Sequence, residues 1–336
     1  MSSSLQDNYI KKEILYGAKN YAPLSVVLNR GEGAYLWDVD GNKYLDMVSA
    51  YSAVSHGHSH PELLKTLHEQ SSKLSVTSRA FYTEPFSIFL EKLSKVSGFE
   101  SILTMNTGAE AVETAIKAAR RWGYFSKGIP EDKAEIIVAN GNFHGRTTTI
   151  VSFSSDASYK DGFGPFTPGF NSAKYCGSCD CRSIDSCLSI ESFEKKINKN
   201  TCAILVEPIQ GEAGIRVPTD GWLKQLRALC TSRNILLILD EIQSGLGRTG
   251  KLFAYEHENI KPDGLILGKA LGGALLPISA FLSSKEIMNH FNPGSHGSTF
   301  GGNPLASKIA IKAIDLLFEE KLIENSKKMG EYFLTS

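Results

Sequence analysis

The chain has 336 residues, with 36 Lys plus Arg balanced by 36 Asp plus Glu, and its residues are 42% apolar and 21% charged. That length suits a large α/β domain with a smaller appendage, and the composition is that of a globular protein, neither disordered nor fibrous. The even charge gives no electrostatic reason to bind nucleic acid or an anionic membrane, and no apolar run nears the roughly 20 residues that span a bilayer. The start, MSSSLQDNYIKKEILYG, has neither the apolar core of a secretion signal nor the Arg-rich character of a mitochondrial presequence, so a cytoplasmic location is expected.

In chain order, Gly33–Asp46 (GAYLWDVDGNKYLD) predicts a hairpin turning at Asp40-Gly41. His56, His58 and His60 stand two apart, as metal ligands on a strand can. They also run into Pro61 and a helical pattern with Ser59 as its N-cap, and we read them as structural, with no metal site expected. Ala109–Trp122 and Gly221–Arg233 repeat apolar residues every three or four positions and predict helices. Glu135–Ala139, Ala203–Glu207, Ile235–Asp240, Gly264–Gly268 and Ile278–Ser283 are short apolar runs that suit strands buried on both faces. Strand–helix alternation predicts an open α/β sheet, mostly parallel, with helices on both faces. From Pro304 onward the pattern is helical.

Asp240 ends one such run and Lys269 follows another. Carboxyl ends of parallel strands face the ligand crevice, so both side chains can reach one pocket. A lysine there can act as an amine nucleophile toward an aldehyde, and a carboxylate can hold a pyridinium nitrogen protonated. Taken alone, both residues are also ordinary solvated strand ends. Asn106–Glu110 (NTGAE) opens a helix whose free N–H groups suit a phosphate, although Thr107 can equally be a simple cap. Gly294–Asn303 (GSHGSTFGGN) offers Ser298 and Thr299 to phosphate oxygens. Asn142–Arg146 (NFHGR) places an aromatic ring three residues before an Arg able to grip a carboxylate. Gly245–Lys251 (GLGRTGK) satisfies both GxGxxG and GxxxxGK, but Leu252 follows where a P-loop needs Ser or Thr, and DEIQS separates it from the preceding strand.

These segments, with YLWDVDGNKYLD, TSRAFY, MNTGAEAVETAIK, GNFHGRT, DGFGPFTPGF, VEPIQGEAG, LDEIQSGLGRTG, GKALGG and HGSTFGGNPL, resemble the class III, or ω-amino, aminotransferases of pyridoxal-phosphate (PLP) fold type I. Within that family the ornithine aminotransferases are most similar. The resemblance runs from about Tyr16 to the end of the chain. It implies a homodimer with shared active sites, PLP as cofactor, and ornithine and 2-oxoglutarate as substrates, with acetylornithine or another ω-amino acid as the alternative. It implies that Lys269 carries PLP as a Schiff base and moves the substrate proton. Asp240 would pair with the ring nitrogen, Gln243 with the ring hydroxyl, and Phe143 would stack on the ring. Gly108 and Ala109, beside Thr107 and Ser298, would hold the phosphate, with Thr299 reaching the neighbouring subunit's. Tyr21, Tyr51 and Arg146 would hold the α-carboxylate and α-amino end of ornithine, and Glu212 would mask a C-terminal Arg in one half-reaction. By the same resemblance, residues 1–51 pack with a small domain, 52–322 form the large PLP-binding domain, and 323–336 begin a small domain largely absent from this chain. A chain that ends there would bind PLP without efficient turnover.

The likeness lapses at CGSCDCRSIDSC. Without an export signal a disulfide framework is not expected. Cys176, Cys179, Cys181 and Cys187 are candidate redox thiols with a thiol-redox partner; a zinc clip and a plain solvent loop are the other readings.

Overall fold

The computed structural model describes residues 5–177 and 187–336. The chain opens with helix α1 (Leu5–Tyr16) and a three-stranded antiparallel sheet, β1 (Leu28–Glu32), β2 (Tyr35–Asp38) and β3 (Lys43–Leu45). The predicted hairpin is the β2–β3 pair, and Gly41 takes the positive φ (88°) that its turn demands. A single turn, α2 (Ser49–Ser52), follows with all four residues at positive φ. Helices α3 (Pro61–Ser71) and α4 (Glu84–Ser97) lead into the main sheet.

That sheet has seven strands: β4 (Ser101–Met105), β5 (Glu135–Ala139), β6 (Phe170–Ala173), β7 (Thr201–Val206), β8 (Leu236–Asp240), β9 (Gly264–Leu267) and β10 (Ser279–Ser283). Their order is β4-β10-β9-β8-β7-β5-β6. The five apolar runs in the sequence are its inner strands. β4 and β6 lie at the edges, where a strand covers less core and needs fewer apolar residues; FNSA in β6 gives no strand signal. β10 alone runs antiparallel to its neighbours, because the link from β9 is too short for the crossover that parallel pairing requires. Alternate residues of each inner strand enter two cores, as the period of two dictates. Ile136, Val138, Leu205 and Ile238 meet α5 (Gly108–Phe125), whose Ala-rich face allows close approach. Ile137, Ile204, Leu237 and Leu265 pack on the other side with Trp222 and Leu226 of α8 (Trp222–Ser232). Short helices α6 (Thr148–Ser152), α7 (Ser189–Glu194) and α9 (Lys285–Met288) complete the layers.

From Pro304 the helical region is two helices, α10 (Pro304–Glu319) and α11 (Leu322–Thr335), separated by Lys321 at φ 54°. α10 packs on α3, α4 and the turn that carries Lys269. The expected Ser59 cap is corrected. The residue before Pro61 is His60, while Ser59, at φ 52°, is one position too early and caps nothing. The three histidines diverge: His56 to the Ala313 carbonyl (2.9 Å), His58 to Asp46 (2.7 Å) and His60 to Glu320 (3.2 Å).

Candidate active site

The carboxyl ends of β5, β7, β8 and β9 and the amino end of α5 surround a cavity of about 190 Å³, lined by Gly108, Ala109, Phe143, His144, Glu207, Asp240, Ile242, Gln243 and Lys269 among others. Lys269 begins the short 3-10 turn after β9 and holds φ 46°, a conformation that L-residues rarely adopt. Burial lowers its pKa, with Asp240, Glu212 and Glu207 opposing. Asp240, 4% exposed, ends β8. Its Oδ2 accepts from His144 Nδ1 (2.7 Å) and its Oδ1 from the Ile242 amide (3.0 Å). Burial opposes charging His144, but the hydrogen bond and charge of Asp240, joined by Glu207, raise its pKa. Glu207 follows β7, accepts from the Phe143 amide (3.1 Å), and is pushed by burial to about 7.

At the amino end of α5, Thr107 forms a capping box. Its hydroxyl accepts from the Glu110 amide (3.2 Å), and the Glu110 carboxylate accepts from the Thr107 amide (2.6 Å). The cap therefore occupies the Thr107 side chain, while Gly108 and Ala109 face the cavity. Gly108 sits close under Ile242, whose Cδ1 would have to shift to admit a Cβ (2.8 Å). Ser298 Oγ accepts from Asn106 Nδ2 (2.9 Å) and the Gly301 amide (3.0 Å), tying the Gly-rich loop beside α5. The next residue, Thr299, is exposed.

The residues expected to hold substrate are gathered less completely. Glu212 lines a second cleft of about 400 Å³ with Asp156, Tyr159 and Arg216, and Phe143 borders both spaces. Arg146 lies over the Tyr159 ring (4.1 Å) and farther from Phe143 (6.0 Å). Tyr51, 61% exposed, reaches the site through its carbonyl, which accepts from Gln243 Nε2 (3.4 Å). Tyr21, 73% exposed, lines neither space. Cys176 is buried with its Sγ 3.2 Å from Thr219 Oγ1, and burial raises the Cys187 thiol. Cys179 and Cys181 lie outside the described residues.

The Aminotransferase class-III family profile matches residues 16–336. This chain belongs to the class III aminotransferases. Among curated relatives, the ornithine aminotransferase of Brevibacillus brevis is 54% identical over 319 residues, covering 95% of this chain and 77% of that protein. The crystal structure of the Toxoplasma gondii ornithine aminotransferase superposes with a TM-score of 0.93 at 41% identity, covering 99% of this chain and 76% of that one. An acetylornithine aminotransferase from Elizabethkingia anophelis is 51% identical, with a TM-score of 0.86, over 98% of this chain and 79% of that one. The seven-stranded, mostly parallel sheet is that of PLP fold type I.

Class III aminotransferases use PLP, and the cavity of this aminotransferase fits it. It pairs a half-buried amine with a buried carboxylate across an apolar wall, and the α5 terminus presents a glycine cradle for a phosphate. Sequence reasoning singled out neither His144 nor Glu207. Glu207 carries the same signal as Asp240, a carboxylate closing a buried run; His144 carries none, because its role depends on a contact 96 residues away.

Proposed function

We propose that this aminotransferase moves the δ-amino group of L-ornithine to 2-oxoglutarate, giving glutamate semialdehyde and glutamate. The observation that carries this reading is the 52–54% identity, over at least 95% of the chain, to eight curated relatives named ornithine aminotransferase. When bound, PLP supplies a ring that withdraws electrons from the carbon bearing the transferred amine. Lys269 holds the cofactor and then takes and returns the proton at that carbon, a task its burial-lowered pKa favours. Asp240 keeps the ring nitrogen protonated, Gln243 bonds the ring hydroxyl, and Phe143 lies on one ring face. Gly108 and Ala109 offer backbone N–H groups to the phosphate, with Thr107 and Ser298 shaping that end. Tyr21, Tyr51 and Arg146 hold the far end of ornithine, and Glu212 governs access of the diacid.

Thr299 reaches the phosphate of a second copy in a homodimer; its exposure and that of Tyr82 (95%) and Phe300 (56%) support such an interface. The division at 51 and 322 belongs to the same proposal, as does a cytoplasmic location; no helix among the described residues is long and apolar enough to cross a membrane. For the cysteine cluster we propose redox-sensitive thiols serviced by a thiol partner. A solved structure of the Plasmodium falciparum ornithine delta-aminotransferase, 42% identical to this chain, concerns redox regulation of that enzyme. Equal activity and equal thiol counts with and without a dithiol reductant overturn this.

The deciding experiment assays ornithine, N-acetylornithine and 4-aminobutyrate against 2-oxoglutarate. Ornithine is expected to give the highest kcat/KM. The Elizabethkingia relative makes N-acetylornithine the second reading, and a preference for it overturns the first. A visible cofactor band that ornithine leaves unchanged overturns both in favour of a PLP-binding protein without turnover.

A further inference from the structure

Arg146 leaves the cavity wall with its charge unspent. Gly145 lines the cavity and lies against the start of α5, where a Cβ on it would come 2.8 Å from Ala109 Cβ. Thr147 caps α6, its hydroxyl accepting from the Ile150 amide (3.4 Å) and donating to Glu113 (2.5 Å). The backbone is thus fixed on both sides of Arg146, while the guanidinium makes no hydrogen bond or ion pair among the described residues. What it meets instead is aromatic. Its Cζ stands 4.1 Å from the centre of the Tyr159 ring and 6.0 Å from that of Phe143. The two rings meet edge to face, 6.1 Å apart and inclined at 74°.

Tyr159 is itself held from behind. It ends the 3-10 turn Ala157–Tyr159, whose cap Asp156 accepts from the Ser158 amide (2.8 Å) and hydroxyl (2.7 Å) at Oδ1. Asp156 feels the charge of Arg146 but forms no ion pair with it. The Tyr159 hydroxyl makes no hydrogen bond among the described residues, which leaves the ring as its acting part. A guanidinium stacked on a ring is held by its face and keeps free the N–H groups at its edge, the groups that grip a carboxylate in pairs. An unsupported Arg loses its rotamer freedom when it binds, whereas this stack has already removed part of that freedom.

We propose that Tyr159 is a positioning residue for the amino donor: its ring holds the Arg146 guanidinium by the face, with the N–H edge free for the α-carboxylate of ornithine. The inference rests on the ornithine reading and on Arg146 as the carboxylate ligand. Tyr159 works through its π face and through Arg146 alone, touching neither donor nor cofactor.

The test is steady-state kinetics with ornithine for wild type, Tyr159→Phe, Tyr159→Leu, Arg146→Ala and the double variant Arg146→Ala/Tyr159→Leu, all loaded with PLP and with the visible cofactor band followed throughout. Tyr159→Leu should raise KM for ornithine about tenfold with kcat within about twofold, since the carboxylate contact lies away from the reacting carbon. Tyr159→Phe keeps the ring and should stay within about twofold of wild type in both constants. Once Arg146 is gone, adding Tyr159→Leu should change kcat/KM by less than about twofold. A loss in Tyr159→Phe as large as in Tyr159→Leu overturns the proposal, and so does a Tyr159→Leu penalty that recurs in full without Arg146. Should circular dichroism show Tyr159→Leu unfolded, Tyr159→Gln is read in its place. A raised KM in Arg146→Ala with an unmoved one in Tyr159→Leu overturns this proposal alone. An unmoved KM in Arg146→Ala refutes the part given to Arg146 in the proposed function, and this proposal with it.

Discussion

Lys269 owes its place to backbone more than to side-chain contacts. The turn at φ 46° aims it across the cavity, while α10 packs behind. Lys269→Ala removes the amine and leaves the turn, and should lower kcat by about 10²–10⁴-fold with little change in melting temperature. A rate near wild type removes Lys269 from the chemistry. Asp240→Ala strands His144, whose side chain is wholly buried. Breaking a buried pair costs about 3–5 kcal/mol, enough for a hundredfold or greater loss of rate if most of it falls on the transition state. The pair also dictates a pH signature. His144 has a folded pKa raised above 6.5, so its stabilisation is fully present below pH 6.5 and fades as pH rises through the folded value. The melting-temperature gap between wild type and Asp240→Ala should therefore be wider at pH 6 than at pH 9; an even gap argues that His144 is neutral throughout.

At the scale of elements, the end of β8 does two jobs. Asp240 faces the cavity while Glu241 turns away and accepts from the Ala254 (2.6 Å) and Tyr255 (2.9 Å) amides, fastening the following segment to the sheet. Burial pushes Glu241 from 4.5 to about 8. Between those values the unfolded chain has released a proton that the folded one keeps, so stability falls as pH rises, at about 1.4 kcal/mol per unit for this group. Glu241→Gln should flatten the decline of melting temperature from pH 5 to 8, and an unchanged slope assigns the decline elsewhere. The start of α5 is likewise double. Thr107→Ala removes half of the capping box and should cost about 1 kcal/mol of stability, together with weaker PLP retention on dialysis. Gln243 spans two elements, bonding the α2 turn and pressing on the bend at Gly211.

The whole molecule predicts cooperation between copies. If Thr299 serves a neighbour's phosphate, mixing Lys269→Ala with Thr299→Ala subunits gives hybrids with one intact site, and about a quarter of wild-type activity should return after refolding together. No recovery means that each copy is self-sufficient. The same scale shows what could be read from residue order. The inner strands, α5 and the strand-end Asp240 and Lys269 were legible because burial on both faces leaves an unbroken apolar run with a polar stop. The edge strands β4 and β6 were not, since an edge strand need not be apolar. His144 was invisible for another reason: one imidazole acquires meaning only from the carboxylate that folding sets beside it. Tyr21 and Thr299 were legible through resemblance alone, and nothing in their local setting ties them to the cavity.

The bend at Gly211 has a bearing on the α2 turn. A Cβ at that position would sit 1.6 Å from Gln243 Oε1, and Gln243 in turn holds the carbonyl of Tyr51. A side chain at 211 must displace the Gln243 amide, and with it the hydrogen bond to the Tyr51 carbonyl. The smallest residue of the chain at 211 thus keeps Gln243 against the α2 turn without itself lining the cavity.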